Sequence, residues 1–246
     1  MRMSVISVND VSHQFGATRA LSRVAFDIAP GEQVALIGAS GSGKTTLLRL
    51  LGLQQQPSTG TVSVLDCDLN STKAGELRMA RSRVGMLPQD LGLVSNLRVV
   101  QNVILGRSGR RNLATTMRDL FWPRKADREE IFQILERMGV AAKMYDRTDS
   151  LSGGQQQRVA LSRTLYQGAE ILLADEPLSA VDPARARDVL DLLTGLSNEQ
   201  GSTLVVSLHQ VALAREFFPR VIGLKGGEIV FDGQPDDDQL AALYDL

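Results

Sequence analysis

The chain carries a single cysteine, Cys67, in 246 residues. A disulfide framework is therefore excluded, and a reducing cytosol fits. A basic excess is also missing. Its 27 Lys and Arg residues face 28 Asp and Glu, a net charge of −1, which argues against a general nucleic-acid binder. No apolar run approaches the roughly 18 residues a membrane-spanning helix needs. The opening stretch "MRMSVISVNDVS" lacks the apolar core of a secretory signal. Such a chain is expected to stay where it is made unless a partner holds it at a membrane. Internal repeats and low-complexity tracts are absent as well. What remains is a globular composition, 43% apolar and 22% charged. It suffices for one large domain, or a domain with a subdomain.

Two kinds of apolar pattern follow. Val24, Phe26 and Ile28 alternate with Ala25 and Asp27, and "TVSVLD" (Thr61–Asp66) alternates likewise. Both read as half-buried strands of a small antiparallel sheet. The runs "VALIG" (Val34–Gly38), "ILLAD" (Ile171–Asp175) and "LVVSL" (Leu204–Leu208) are continuously apolar, as in parallel strands covered by helices. "DPARARDVLDLLTGL" predicts a helix with Asp182 as N-cap and Pro183 at its first position. "VIGLKGGEIVFDG" predicts a hairpin turning at Gly226-Gly227. From Leu97 to Tyr145 no strand pattern appears. "ADREEIFQILERMG" puts Ile131, Ile134, Leu135 and Met138 on one helical face, with Gly139 as its cap. The expectation is one α/β domain, 1–89 and 160–246, with a helical subdomain inserted at 90–159.

The segment "GASGSGKTT" (Gly38–Thr46) matches G-x-x-x-x-G-K-[ST] and sits between a predicted buried strand and a predicted helix. Glycines let backbone N–H groups wrap phosphates. Lys44 supplies a point charge and Thr45 a hydroxyl for Mg²⁺. Asp175 ends a buried strand and is expected to hold that Mg²⁺, while Glu176 orients or deprotonates an attacking water. His209, after the strand in "VVSLHQ", is a candidate for reaching the γ-phosphate. Gln89, in "GMLPQD", can touch metal, water and the insert. A second anion site is expected at "LSGGQQQRVALSRTL", where Ser152, Gly153 and Gly154 precede a predicted helix.

Taken together, "GASGSGKT", "LSGGQQQR", "ILLADEP", "SAVD" (Ser179–Asp182) and "SLHQ" resemble the ATP-binding cassette (ABC) ATPases, in order and spacing along the whole chain. The resemblance implies a P-loop NTPase fold with a RecA-like α/β core, an N-terminal antiparallel β-subdomain and an inserted helical subdomain. It implies ATP and Mg²⁺ as ligands and two chains paired head to tail, each signature loop closing over the partner's ATP. Gly38, Ser40, Gly41, Ser42, Gly43, Lys44, Thr45 and Thr46 are then the phosphate loop. Thr45, Gln89 and Asp175 serve Mg²⁺. Glu176 is the catalytic glutamate, His209 the switch histidine, and Gln89 the sensor of a transmembrane partner. Ser152, Gly153, Gly154, Gln155 and Asp182 act across the dimer. Phe15 fits the position of an adenine-stacking aromatic, where tyrosine is commoner.

One cassette without a membrane span implies separate membrane subunits, the organisation of bacterial importers. "LVSNLRVVQNVILGRSG", the insert "RDLFWPRKADREE" and "VSLHQVALAREFFPRVIGL" are similar to the ATP-binding subunit of phosphonate importers, whose relatives handle phosphite or hypophosphite. Gln155-Gln156-Gln157 leans away from exporter-like and division-related cassettes, which more often read "LSGGEQQR". The implied partners are a second copy, integral membrane permease subunits and, through them, a periplasmic binding protein, with no nucleic acid. The implied location is the cytoplasmic face of the bacterial inner membrane. Import of another small solute and a regulatory, non-import cassette are the alternatives. DNA-repair cassettes insert a long coiled coil between Gln89 and Leu151, and this stretch is too short for one. The basic stretch from Arg107 to Arg128 reads as a solvated face, with contact to lipid headgroups or a permease as the sharper alternative. Cys67 and His13 read as structural.

Overall fold

The computed structural model describes residues 4–179 and 182–244; Ala180 and Val181 of "SAVD" lie outside the described residues. In chain order its elements are β1 (Ile6–Phe15), β2 (Thr18–Ile28), β3 (Gln33–Ile37), α1 (Lys44–Leu51), β4 (Thr59–Val64), β5 (Cys67–Asp68), α2 (Ala74–Ser82), β6 (Val84–Leu87), α3 (Val99–Ile104), α4 (Leu113–Phe121), α5 (Lys125–Arg137), α6 (Gly153–Gln167), β7 (Ile171–Asp175), α7 (Ala186–Gln200), β8 (Thr203–Leu208), α8 (Val211–Phe217), β9 (Arg220–Lys225), β10 (Glu228–Gly233) and α9 (Asp237–Tyr244). None of the described helices is long and apolar enough to cross a membrane.

The alternating segments form a four-stranded antiparallel sheet, ordered β2-β1-β4-β5. Val24, Phe26 and Ile28 point inward as expected. The continuous apolar runs form a six-stranded sheet, ordered β10-β9-β3-β8-β7-β6, parallel except for β10. Strands β3, β7 and β8 are buried at every position. The reason differs by face. Val34, Leu36, Leu173 and Val205 pack with Val8, Val24 and Val62 of the small sheet and with Leu47 and Leu51 of α1. The alternate positions Ala35, Ile37, Leu172 and Val206 pack with Ala160, Leu190 and Ala214 of the covering helices. Helices alone therefore cover one face, and a sheet plus α1 covers the other. The predicted hairpin is present: Lys225 pairs with Glu228 across Gly226 (φ +57) and Gly227 (φ +85), both left-handed as a two-residue type I′ turn requires.

The insert has its own core of Val99, Val103, Ile131, Leu135, Met138, Val159 and Tyr166. Gly139 (φ +66) closes α5, its N–H bonding the Glu136 carbonyl. The signature helix α6 crosses the expected boundary at residue 159. Its Val159 and Tyr166 face the insert core, and Ala160 and Leu161 face the sheet. One helix thus belongs to both bodies.

Two expectations need correction. The helix assigned to begin at Pro183 begins at Ala186. Pro183–Arg185 is a 3₁₀ turn, because the Asp182 carboxylate accepts from Ala184 N–H at 3.0 Å and its carbonyl from Arg185 N–H at 2.8 Å. That local bonding favours an Asx-type turn over a regular helix start. The basic stretch is not simply a solvated face. Arg107 pairs with Glu130 and lies over the Tyr166 ring at 4.0 Å. Arg110 bonds the Gly168 carbonyl. Arg111 and Arg118 pair with buried Asp119, and Arg111 also with Asp127. Most of these cations bind α4, α5 and α6 together from within.

Candidate active site

Strands β3, β8, β7 and β6 lie side by side and end nearly level: Ile37 pairs with Leu208, Asp175 with Ser207, and Leu87 with Ala174. Their C-terminal ends deliver the Gly38–Lys44 loop, His209, Asp175 with Glu176, and Gln89 to one sheet edge, where open α/β sheets place ligands. A cleft of about 870 Å³ opens there, lined by Thr45, Arg49, Gln89, Arg163 and Asp175 among others.

At two points the loop's backbone has no room for a side chain. A Cβ on Gly38 (φ +153) would lie 2.2 Å from the Leu224 carbonyl oxygen, and one on Gly43 (φ +106) 2.6 Å from that of Ala20. The chain therefore needs glycine at both points. The β9–β10 turn clamps the loop, since Gly227 N–H bonds the Ser42 carbonyl and Ser22 N–H bonds the Gly227 carbonyl. Lys44 opens α1 and is buried. Its Nζ donates to the carbonyls of Gly38 (2.8 Å) and Ala39 (3.1 Å). Burial pulls the Lys44 ammonium below its ordinary pKa, with Glu176 and Asp175 opposing that pull. The Ser42 hydroxyl is buried and has no hydrogen-bond partner among the described residues. A cation curled inside a glycine cradle, beside an unpartnered hydroxyl, suits a polyphosphate.

At the ends of β7 and β8 the acids are held by a residue that sequence reasoning missed. Ser207 Oγ donates to Asp175 Oδ1 at 2.8 Å and accepts from Glu176 N–H at 2.8 Å. Its only signal was being the one polar residue in "LVVSL". Thr45 Oγ1 also reaches Asp175 Oδ1, at 3.3 Å. This hydroxyl–carboxylate pair is the hard oxygen donor set that Mg²⁺ favours. The described residues contain no cluster of three or more His, Cys, Asp or Glu side chains fit for a metal. An ion here would therefore draw its remaining ligands from phosphate and water. Glu176 sits at φ +48, a left-handed conformation costly for a non-glycine residue. That twist turns its carboxylate away from Asp175's role and onto His209, whose Nε2 lies 2.5 Å from Glu176 Oε1. Gln89 is exposed on the cleft wall. Arg163, also missed, hooks the Leu91 and Gly92 carbonyls beside it. Burial lowers its pKa.

The residues expected to form a second anion site lie elsewhere. Ser152 caps α6 in a reciprocal box: its Oγ accepts from Gln155 N–H at 3.4 Å, and Gln155 Oε1 accepts from Ser152 N–H at 3.0 Å. The Gln155 carbonyl is thereby committed to the cap. Gly153 has open space where a Cβ would stand. A separate cavity of about 460 Å³ runs along Ser152, Gly154, Gln155 and Arg185. None of the residues lining the first cleft lines this one. The two sites do not meet within one chain. Gln157 links them mechanically, its Nε2 bonding the Pro177 carbonyl just after the acid pair. Phe15 ends β1 with its ring 49% exposed, stacked edge-on against buried His13 at 4.7 Å. It is a presented aromatic rather than a core one.

Comparison with known proteins agrees with this geometry. Residues 21–179 match the family model described as ABC transporter. The chain is 40% identical over 247 residues to a phosphonates import ATP-binding protein of Oceanobacillus iheyensis, covering 98% of this chain and 96% of that one. It is 44% identical over 238 residues to a phosphonates import ATP-binding protein of Pseudomonas aeruginosa, covering 96% and 88%. Among solved structures it resembles the dimeric bacterial ABC transporter cassette MJ0796 with a TM-score of 0.82 and 31% identity, over 93% of this chain and 98% of that one. A post-hydrolysis dimer of that cassette bound to ADP and Pi aligns with a TM-score of 0.74 and 30% identity, over the same shares. With a glycine-cradled lysine and an acid pair on one sheet edge, a capped signature helix on another surface, and a family match over most of its length, the chain belongs to the ABC transporter family.

Proposed function

We propose that this chain is the ATP-hydrolysing subunit of a bacterial importer for phosphonate or a related reduced phosphorus oxyanion, phosphite or hypophosphite. The observation that carries the ATPase reading is the single sheet edge that gathers Lys44, Thr45, Asp175, Glu176, His209 and Gln89. The loop Gly38–Thr46 binds the β- and γ-phosphates through backbone N–H groups, and Lys44 offsets their charge as the γ-phosphoryl departs. Glu176 accepts the proton of the attacking water, and His209, already bonded to its carboxylate, keeps it aimed. Thr45 and Asp175, with Gln89 beside them, would hold Mg²⁺, which would supply charge neutralisation of the phosphate oxygens. Phe15 stacks on the adenine.

The anion site at Ser152, Gly153, Gly154 and Gln155 serves the ATP of a second copy, with Asp182 at the same junction. Its separation from the chain's own phosphate loop supports that reading. The phosphonate assignment is supported by what the relatives are called. It implies permease subunits docked beside Gln89 and the insert, a periplasmic binding protein reached through them, and a location at the cytoplasmic face of the inner membrane. The transported molecule never touches this chain.

Mixing two inactive chains tests the pairing. Lys44→Ala removes the phosphate-loop cation. Gly153→Asp puts a carboxylate in the signature site and, with open space around that Cβ, leaves the fold alone. A mixed dimer then holds one intact composite site, so ATP-driven dimerisation is expected to return on mixing. Absence of mixed dimers, while unaltered chains dimerise, refutes the trans arrangement. For the substrate, phosphonate uptake should cease when the chain is deleted from a cell without a second importer; persistence would point to another solute or to a regulatory role.

A further inference from the structure

The insert's basic stretch divides into two groups. Arg107, Arg110, Arg111 and Arg118 are tied inward by carboxylates and carbonyls. Arg124 and Arg128 are exposed, and their side chains make no hydrogen bond or ion pair with a described residue. Lys125 between them is also exposed, with only a 3.7 Å pairing to Glu129. Immediately before these cations stands α4. Asp119 and Leu120 fix its inner side, the first through Arg111 and Arg118, the second through a bond from Gln101 to its carbonyl. Its outer side is Leu113, Met117 and Phe121, spaced four residues apart on one stripe, followed by Trp122. These are 77%, 46%, 56% and 75% exposed. Side chains that exposed stand proud of the surface instead of lining a groove. A contiguous apolar ridge of this kind marks an interaction site. The two aspartates of this region are buried and paired and Glu130 is tied to Arg107, so along this turn Arg124, Lys125 and Arg128 outnumber the exposed Glu129.

We propose that α4 and the Arg124–Arg128 turn form a lipid-binding element that lies in the interface of an anionic bilayer. The apolar stripe and Trp122 enter the headgroup–acyl boundary, and Arg124, Lys125 and Arg128 contact lipid phosphates. Amphipathic segments bind bilayers through this combination of buried apolar area and basic charge, and tryptophan favours that interface. Charge complementarity selects an anionic surface. The inward network of Arg107, Arg111 and Arg118 provides the rigid backing. The inference is independent of the transported solute and does not require a permease.

The chain has one tryptophan, so Trp122 is its own reporter. Intact protein is titrated with vesicles containing phosphatidylglycerol and, separately, with vesicles of phosphatidylcholine alone. A blue shift of Trp122 emission and co-flotation with the anionic vesicles are expected, both weakened by added salt. Leu113→Gln with Phe121→Gln should lower partitioning about tenfold or more. Arg124→Ser with Arg128→Ser should lower it about tenfold. Circular dichroism melts confirm that these exposed changes leave the fold intact. Unchanged emission and no flotation overturn the proposal. Equal binding to neutral vesicles, or binding indifferent to both pairs of substitutions, overturns it too. Crosslinking from position 113 to a permease, without vesicle binding, would overturn it in favour of a protein partner.

Discussion

Ser207 joins the two acids of the site. It is fully buried, and its single hydroxyl satisfies Asp175 on one side and the Glu176 N–H on the other. Glu176 needs that anchor because its left-handed backbone is unfavourable for a side-chain-bearing residue. Removing the hydroxyl leaves a buried N–H unpaired, at a cost of about 1–3 kcal/mol. It also frees the Asp175 carboxylate and loosens the backbone that positions Glu176. We expect Ser207→Ala to lower the melting temperature by several degrees and kcat by about tenfold or more, with KM for ATP little changed. Ser207→Thr, which restores the hydroxyl, should recover most of kcat. Unchanged turnover in Ser207→Ala would show that Glu176 is held by other contacts.

At the level of elements, helix ends and one ion network decide the geometry. Helix α1 begins at a glycine with no side-chain cap, which leaves its first N–H groups open to a ligand. Helix α6 is capped by Ser152 and Gln155, which fixes its angle to the insert. The insert is locked to α6 where Tyr166 Oη donates to Asp127 Oδ1 at 2.6 Å and Arg111 donates at 3.0 Å. Burial alone would raise the Asp127 carboxyl, but the bonds from Tyr166 and Arg111 outweigh it and hold the group below its ordinary value. Because the folded pKa is depressed, the stability this carboxylate contributes is fully present above the unfolded value near 4. It is lost as pH falls through the lower folded value. Asp127→Asn should therefore destabilise the chain by about 2 kcal/mol at neutral pH. The difference from the unaltered chain should shrink in melts taken progressively below the ordinary carboxylate range. A gap constant across that range would exclude the charged form as its source.

At the scale of the molecule, the phosphate-loop cleft and the signature cavity occupy separate parts of one chain, and in the proposed pairing a second copy would bring them together. Glu176→Gln keeps the shape of the side chain but removes its basicity, so ATP should bind and stay. Size-exclusion chromatography with ATP and Mg²⁺ is expected to move this variant from monomer to dimer, with hydrolysis nearly stopped. A monomer that retains ATP would argue against the sandwich. Within the chain, Gln157 ties the signature helix to the carbonyl after the acid pair, and Arg163 holds the segment behind Gln89.

The sequence by itself determined the features whose parts are neighbours in the chain. The phosphate loop, the start of the signature helix, the β9–β10 turn and the period of α5 each lie within a few consecutive residues, so backbone preference and spacing reveal them. The strand interiors were legible too, because burial on both faces writes a continuous apolar run. Tertiary structure alone decided what covers each face of the large sheet, since apolar runs record burial and not the identity of the cover. It decided the role of Ser207, which depends on the register that sets β8 against β7 and aligns residues 32 apart. It also decided that Arg107 and Arg111 turn inward, because their partners Glu130, Asp127 and Tyr166 arrive from α5 and α6. A charged residue reads as solvent-facing in sequence; only packing brings a distant carboxylate close enough to repay its desolvation.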